Sequence, residues 1–503
     1  MSTSEAVPRL SSIDRSQILL RTVDVEALIE EDHSARSIWN LVGRLDLSLY
    51  YAEIAAIEGR AGRNHTAPQL LISLWLYAYS RGISSAREVA RRCEFEPAFQ
   101  WLCGLGPVSH KTLSDFRSDY KAALDDLFVQ VLGMLSAEGL ITMERVTLDG
   151  TKIKANAGGN TFRREEKLQA HLALAKEQVQ RLNEEAANEE KQAKRKAAAR
   201  RRAARQRANR LEAAVREVQR LQEEKKHDRQ DFVARASITD PEAHVMRNGE
   251  GGTVPSYNVQ LVTDTTHGLV VNVAATTDAI DYRQLEPALK RCQETLECLP
   301  EQLVADGDYT NHASVQAAAT LKVDFYGSWQ DSWRPTERDA QGRTGAFMGN
   351  AFAYDAEQDC FVCPGGQVMN HHAILNQKNG VRTHVYRAPK AACCACEHFA
   401  QCAPKNPKPD WRRSITRIEE PAATIAFKAK MQTEAAQEIY AQRSRIAEFP
   451  HAWIKERCGL RQFRCRGRLK ACMEATWACL SYNITRWFSI QRRSNTQMAA
   501  TLA

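Results

Sequence analysis

Two short stretches of this sequence share one pattern, an apolar strand that ends on an aspartate followed by glycine. Residues 146–153 read Val-Thr-Leu-Asp-Gly-Thr-Lys-Ile, and residues 302–309 read Gln-Leu-Val-Ala-Asp-Gly-Asp-Tyr. Apolar and β-branched residues favour a strand, and glycine lets the backbone turn away after it. A carboxylate at the end of a buried strand is costly unless it is paired or holds a metal ion. The pattern makes Asp149 and Asp306 candidate metal ligands, and its alternative is an ordinary turn.

A predicted helical segment near the C-terminus adds a third carboxylate together with cationic groups. Tyr440, Arg443, Glu448 and Lys455 lie within this one segment. Two strand-end aspartates and a helical glutamate are the hard oxygen ligands that a two-metal phosphoryl-transfer site needs, with metals about 3.5–4 Å apart. A lone helical glutamate is usually a solvated surface residue, so the hypothesis depends on the combination.

Composition and charge indicate a globular protein that is compatible with a polyanionic partner. The chain has 503 residues and a net charge of +8, which favours two to four domains and suits nucleic acid without requiring it. The N-terminus has no secretory signal pattern, and the longest apolar run, residues 70–78, is too short to span a bilayer. Fourteen cysteines in such a chain favour reduced thiols and metal. We expect a cytoplasmic protein without a membrane partner.

Residues 1–140 are predicted to form an all-helical unit. A Gly-Leu-Gly-Pro break at residues 104–107 separates one helix from another that is capped by Ser109 and carries Lys111 and Arg117. A helix, a break and a capped basic helix are typical of a helix-turn-helix DNA reader. The alternative is a helical bundle that only packs on the catalytic part of the chain.

Residues 162–235 contain no glycine or proline and are rich in Ala, Arg, Glu, Lys and Gln. Leu168, Leu172, Ala175 and their successors follow a 4-3 spacing that predicts a long helical hairpin or coiled coil. Residues 191–210 carry ten basic side chains and no acidic ones. Sequence-independent phosphate contact and dimerisation are both open interpretations of this insertion.

The segments that follow predict an α/β fold with a mixed sheet. Residues 257–263 and 269–275 alternate as a strand hairpin, and a helix over residues 281–296 leads to the Asp306 strand. A helix over 311–321 and a strand over 322–327 complete a ribonuclease H-like order with flanking helices. The predicted units are an N-terminal DNA-binding domain 1–140, the first core strand 141–157, the helical insertion 158–235, the core 236–327, a Cys-rich insertion 328–425 and C-terminal catalytic helices 426–503.

The Cys-rich insertion is predicted to be irregular and to hold a structural zinc ion. Cys363, Cys393, Cys396 and Cys402 have the spacing of two metal-binding knuckles with Gly or Pro turns. The competing ligands are Cys360, Cys394 and His398. The alternative is a set of free thiols.

Over nearly the whole chain, these motifs resemble the DDE transposases of bacterial insertion sequences, in the branch with a Tyr-Arg-Glu-Lys signature. Residues 149–152, Asp-Gly-Thr-Lys, match the first family motif, and residues 305–309 match Ala-Asp-x-Gly-Tyr except that Asp308 stands where glycine is usual. Asp306 and Asp308 are therefore both candidates for the second aspartate, with Asp306 preferred by position. Glu448 and Lys455 have the spacing of the signature, whose arginine is Arg443 or Arg445.

The resemblance implies two-metal transesterification with Mg²⁺ or Mn²⁺. Asp149 would bridge the metals, with Asp306 and Glu448 completing their shells. Tyr440, Arg443 and Lys455 would hold phosphates, and Arg461, Arg464, Arg466 and Lys470 would extend that basic surface. The implied nucleic-acid partner is double-stranded DNA, both the terminal repeats of the element and its target. The implied location is the nucleoid, and the chain is expected to act on DNA as a homodimer or higher oligomer. The alternatives are a metal-dependent nuclease on the same fold and an inactive DNA-binding relic.

Overall fold

The described part of the chain has a helical N-terminal third, a mixed sheet interrupted by a helical hairpin, a second sheet and C-terminal helices. The computed structural model describes residues 22–54, 64–185, 193–225, 233–249, 252–329, 345–376, 382–404 and 406–502, with Ser16 and Ile18.

The α-helices are α1 Ser34–Val42, α2 Ser48–Ala52, α3 Pro68–Ser80, α4 Ala86–Phe95, α5 Pro97–Cys103, α6 His110–Asp119, α7 Lys121–Ala137, α8 Glu165–Glu185, α9 Ala193–Lys225, α10 Leu285–Leu296, α11 His312–Thr320, α12 Lys390–Cys394, α13 Phe399–Cys402, α14 Ala422–Met431, α15 Glu434–Ala441, α16 Arg443–Glu456 and α17 Arg468–Leu502. The strands are β1 Arg145–Lys154, β2 Phe162–Arg163, β3 Ala236–Ser237, β4 His244–Arg247, β5 Thr253–Asp264, β6 Leu269–Thr276, β7 Gln302–Ala305, β8 Asp324–Tyr326, β9 Ala353–Asp355, β10 Cys360–Val362, β11 Val368–Asn376, β12 Arg382–Arg387 and β13 Ser414–Glu419.

The main sheet is mixed, with the order β4-β5-β1-β7-β8 and with β6 paired to β5. β5 runs antiparallel to β1 and β6, whereas β1, β7 and β8 run parallel to one another. Parallel neighbours need crossover connections, which helices α10 and α11 supply. The mixed sheet and its many helices agree with the predicted α/β class.

β1 differs from its prediction, because the strand does not end at Asp149. Its antiparallel pairing with β5 continues through Gly150, opposite Gln260, to Lys154. Gly150 therefore makes no turn. Its missing side chain instead leaves room for neighbours, since a Cβ there would lie 2.6 Å from Asp281 Oδ1 and 3.0 Å from the Tyr309 hydroxyl.

The N-terminal helices and the main sheet share one hydrophobic core. Fully buried Trp75 of α3, Trp477 of α17 and Tyr257 of β5 belong to the same cluster. α17 makes this continuity, because it packs against α3, α6 and α7 on one side and against β6 on the other. The amide of Asn483 strengthens the junction by bonding both the backbone N–H and the carbonyl of Val270.

α8 and α9 lie antiparallel as a helical hairpin, in agreement with the 4-3 spacing. Leu168, Ala175, Leu211 and Val218 are buried between them. The hairpin is tied to the sheet where Glu217 accepts a hydrogen bond from His244 of β4, with the two atoms 2.7 Å apart. The basic run at 191–210 falls largely on α9, while residues 191 and 192 lie outside the described residues.

The prediction of an irregular Cys-rich segment is wrong. Its described residues form a five-stranded antiparallel sheet in the order β13-β12-β11-β10-β9. The sheet has a small core of its own that includes Met369 and Tyr386, both fully buried. Most side chains of β11 are exposed, so the strand lacks the apolar alternation that would have revealed it.

The predicted helix carrying Tyr440, Arg443, Glu448 and Lys455 is divided in two. Tyr440 lies at the end of α15, and the other three residues lie on α16, after a break at Gln442. Among the described residues, no helix is both long enough and apolar enough to cross a membrane.

Candidate functional site

Asp149 and Asp306 lie side by side at the point where parallel pairing of β1 and β7 ends. Leu148 is the register partner of Ala305, and the two aspartates follow directly. Neighbouring strands are about 4.8 Å apart, so both carboxyl groups emerge at one sheet edge. The fold thus brings together two residues that are 157 positions apart in the sequence.

Burial and mutual repulsion make both carboxylates costly to ionise. Burial, aided by the charge of Asp306, raises the pKa of Asp149 to about 6, although a hydrogen bond from Gly150 opposes the rise. Burial and then the charge of Asp308 raise the pKa of Asp306. Arg443 lowers the pKa of both aspartates, so its guanidinium lies close enough to act on the pair. A bound cation would favour the ionised form of both carboxyl groups and so offset this cost.

Each aspartate accepts a hydrogen bond from the backbone just after it. The N–H of Gly150 donates to Asp149 Oδ1 at 2.9 Å, and the N–H of Asp308 donates to Asp306 Oδ1 at 2.9 Å. Asp306 thereby caps the short turn Gly307–Tyr309, in which Asp308 is exposed. The position of Asp306 beside Asp149 favours it over Asp308 as the second ligand.

α16 packs across β1, brings His451 to Asp149 and also carries Glu448. His451 is 7% exposed, and its Nε2 lies 3.6 Å from Asp149 Oδ2. Burial, followed by the charge of Lys455, lowers the pKa of His451 to about 3, so the ring is neutral. Glu448 lies three residues before His451 and is exposed. Residues three apart on a helix are neighbours, so Glu448 leaves α16 on the same side as His451.

A buried polar network behind the aspartates escaped the sequence analysis. Asp281 Oδ1 accepts hydrogen bonds from Asn258 at 2.7 Å and from Gln260 at 2.6 Å, and the Tyr309 hydroxyl donates to Gln260 Oε1 at 2.5 Å. The charge of Asp281 raises the pKa of Asp149. A signal was present, because Asn258 and Gln260 alternate with apolar residues on a strand that is buried on both faces.

Three cationic or aromatic residues predicted to bind phosphate lie around this edge. The Arg443 guanidinium lies 6.0 Å from the centre of the Tyr440 ring. Tyr440 also packs against the small cluster formed by Val304 of β7, Tyr326 of β8 and Ala436 of α15. Lys455 lies one helical turn after His451, on the last turn of α16.

The predicted DNA contact by Arg117 does not fit its position. Arg117 is 3% exposed, its Nη1 lies 3.4 Å from Glu474 Oε1, and its guanidinium stacks 4.4 Å from the centre of the Trp75 ring. It joins α6 to α17 inside the core and has no surface for a phosphate. Lys111 is exposed near the start of α6.

Comparison with protein families places two segments of the chain among transposases. The family described as Transposase DDE domain matches residues 362–488. The family described as Transposase domain (DUF772) matches residues 23–119. These matches support a DDE transposase. Comparison with curated proteins finds no match.

The matched segments cover the two ends of the described architecture. The DDE match spans strands β11 to β13 of the Cys-rich sheet and α16, which carries Glu448 and His451, and ends within α17. The other match spans α1 to α6. Asp149 and Asp306 lie outside both segments. A transposase of this class cleaves and transfers DNA strands, so the family matches imply DNA binding.

Four cysteines of the DDE segment line one cavity beside the second sheet. The cavity wall contains Cys363, Cys393, Cys396 and Cys402, together with His398. Burial raises the pKa of Cys402, and the other three thiols add to that rise. Cys360 lies outside this wall, buried in β10, and Cys394 is exposed.

Among the described residues, no group of three or more His, Cys, Asp or Glu side chains is already arranged to hold a metal ion. In the aspartate site, one carboxylate oxygen of Asp149 and one of Asp306 each accept a hydrogen bond from a neighbouring backbone N–H. The donor sets that fit metals chemically are the two hard carboxylates of Asp149 and Asp306 and the four thiols around one cavity.

Proposed function

We propose that this chain cleaves DNA at the ends of a bacterial insertion sequence and transfers the freed strands to a target. The observation that carries the proposal is the adjacency of Asp149 and Asp306 at the end of paired parallel strands, with α16 lying over them. The sheet order β6-β5-β1-β7-β8 supports a ribonuclease H-like core. The hairpin of α8 and α9 would then be an insertion after its first strand.

The residues that would hold divalent metal are Asp149, Asp306 and Glu448. Mg²⁺ or Mn²⁺ bound there would activate an attacking water or 3′-hydroxyl and stabilise the leaving oxygen of a phosphodiester. The raised pKa values of Asp149 and Asp306 support this assignment, because a bound cation offsets the repulsion between two desolvated carboxylates. Glu448 is exposed, so it can turn toward an incoming ion without breaking a buried contact.

Arg443, Lys455 and Tyr440 would hold the DNA backbone at this edge. A fixed guanidinium or ammonium orients a phosphate without reading base identity. Arg443 is already close to both aspartates, so a phosphate on it would lie near the reacting strand. The exposed Lys111 and the basic α9 would add contacts farther along the duplex.

We also propose a structural zinc ion in the Cys-rich sheet. Cys363, Cys393, Cys396 and Cys402 would bind it, because their thiols line one cavity and four thiolates suit tetrahedral zinc. Its effect would be to fix the loops of this sheet, which stands between the second aspartate and α16 in the chain.

The test is cleavage and joining of labelled element-end DNA with Mg²⁺. We expect Asp149→Asn, Asp306→Asn and Glu448→Gln to bind the ends but to lose about a hundredfold to a thousandfold in cleavage rate, as removal of charge-stabilising groups does. Asp308→Asn and the matched helical control Glu438→Gln should stay active. Cleavage without joining would favour a plain nuclease, and end binding without any cleavage by the unaltered chain would favour an inactive relic.

A further inference from the structure

His451 is a buried side chain whose two ring nitrogens make no hydrogen bond to the described residues. The residue is only 7% exposed, yet neither ring nitrogen has a hydrogen-bond partner among the described residues. A buried polar group left unpaired is costly, so most such groups have a partner. The ring is also too polar to serve only as packing between α16 and β1. A missing partner is the simplest physical account of its position.

The distance from His451 to Asp149 fits a shared ion better than a direct hydrogen bond. His451 Nε2 and Asp149 Oδ2 are 3.6 Å apart, whereas an N–H···O hydrogen bond spans about 2.7–3.2 Å. Two ligands that each lie about 2.1 Å from one ion are about 3.0 Å apart at 90° and about 3.6 Å apart at 120°. Adjacent ligands of an octahedral ion such as Mn²⁺ or Mg²⁺ are about 3.0 Å apart, so the pair would close by about 0.6 Å on binding one.

The helix position of His451 supports the same conclusion. It stands three residues after Glu448, so the two side chains leave the same side of α16. A Glu-x-x-His pair is an arrangement by which helices present one carboxylate and one imidazole to metals. Asp149 lies opposite His451 on β1, with Asp306 beside Asp149.

We propose that His451 is a nitrogen ligand of the metal ion that Asp149 binds, and that the site consequently favours Mn²⁺ and Co²⁺ over Mg²⁺. The inference rests on the proposed metal-dependent function and adds one ligand to it. Mg²⁺ is held through oxygen, whereas Mn²⁺, although it also prefers carboxylates, accepts an imidazole more readily than Mg²⁺ does, and Co²⁺ more readily still. A site with one nitrogen ligand should therefore lose more affinity for Mn²⁺ than for Mg²⁺ when that nitrogen is removed.

Electron spin-echo modulation of Mn²⁺ bound to the full chain, carrying no histidine tag, tests the proposal on the unaltered protein. We expect nitrogen modulation that changes when histidine is labelled with ¹⁵N, and we expect Asp149→Asn to lose the bound Mn²⁺. His451→Leu should bind Mn²⁺ without the nitrogen modulation. The exposed control His110→Gln should keep it.

Titration calorimetry supplies the second readout. We expect His451→Leu to weaken Mn²⁺ binding at least tenfold and Mg²⁺ binding less than threefold. Mn²⁺ that depends on Asp149 but shows no nitrogen modulation would overturn the role of His451 and leave the proposed function standing. Absence of any Asp149-dependent Mn²⁺ binding would overturn both, so the two failures are distinguishable.

Discussion

At the scale of single residues, Asp149 carries the largest electrostatic cost in the candidate site. Its side chain is 17% exposed, and burial raises its pKa to about 6 from an ordinary value of 3.8. The charged form is therefore less favourable in the folded state than in the unfolded state. Its cost to stability is absent below about pH 4, grows as the pH rises through about 6 and then stays constant.

We predict that Asp149→Asn stabilises the metal-free protein at pH 8. The gain in the free energy of unfolding should be about 1–3 kcal/mol and should vanish as the pH approaches 4. Urea unfolding at both pH values measures it, with the exposed Asp410→Asn as control. A lower stability of Asp149→Asn at pH 8 would show that the carboxylate is not destabilising.

We predict that Gly150→Ala disrupts the network behind Asp149. The new Cβ would lie 2.6 Å from Asp281 Oδ1 and 3.0 Å from the Tyr309 hydroxyl, with Gln260 closer still. Overpacking of this kind costs about 1–3 kcal/mol, and end cleavage should fall with it. The matched control is Gly133→Ala in α7, where the Cβ would meet no atom within 4 Å, and it should be neutral or stabilising. Equal stability of the two variants would contradict the packing described.

Some residues of the site could be predicted from local sequence motifs, whereas others could not. Asp149 and Asp306 each stand in the same strand-Asp-Gly motif, so this shared pattern was enough to predict that they belong to one site. His451 and Asp281 stand in a helix and a loop whose docking depends on the packing of distant elements. Gly150 was interpreted as a turn because the need for space beside it arises only once Asp281 and Gln260 are in place.

At the scale of elements, Arg117 holds α6 against α17. Its partner Glu474 is fully buried and also accepts hydrogen bonds from the backbone N–H groups of Arg464 and Cys465. The cationic helix pattern that predicted DNA contact is the same pattern that a buried ion pair produces, because sequence does not reveal which side of a helix is covered.

We predict that Arg117→Ala destabilises the protein by about 3–5 kcal/mol, as removal of one partner of a buried ion pair does. Lys111→Ala, on the exposed start of the same helix, should leave stability unchanged and weaken binding to end DNA. Chemical unfolding and a DNA-binding titration measure the two effects. If Arg117→Ala were as stable as the unaltered protein and bound DNA more weakly, Arg117 would be a DNA-contacting residue and not a partner in a buried ion pair.

We predict that the purified chain contains one zinc ion per molecule and that Cys393→Ser or Cys402→Ser removes it. Four thiolates lining one cavity satisfy a tetrahedral ion, and loss of one ligand opens that shell. Metal analysis by mass spectrometry measures the content. Cys298→Ser, at an exposed site, should retain the zinc, and retention by all three variants would contradict the ligand set.

At the scale of the whole molecule, one core joins the N-terminal helices to the sheet that carries the aspartates. α17 packs on both, so helices α3, α6 and α7 and the main sheet form one structural unit around Trp75 and Trp477. Composition and periodicity predicted each part separately, including the α/β class and the helical hairpin. The packing of α17 against both the N-terminal helices and the main sheet depends on long-range contacts, which local sequence patterns do not predict.

The central claim is that Asp149 and Asp306 bind the catalytic metal. An anomalous difference map of the protein crystallised with element-end DNA and Mn²⁺ tests it most directly. The account predicts Mn²⁺ bound by both aspartates, with Glu448 turned toward it. Mn²⁺ held by Asp308 away from Asp149, or DNA ends bound at this sheet edge with no Mn²⁺ between the two aspartates, would contradict it.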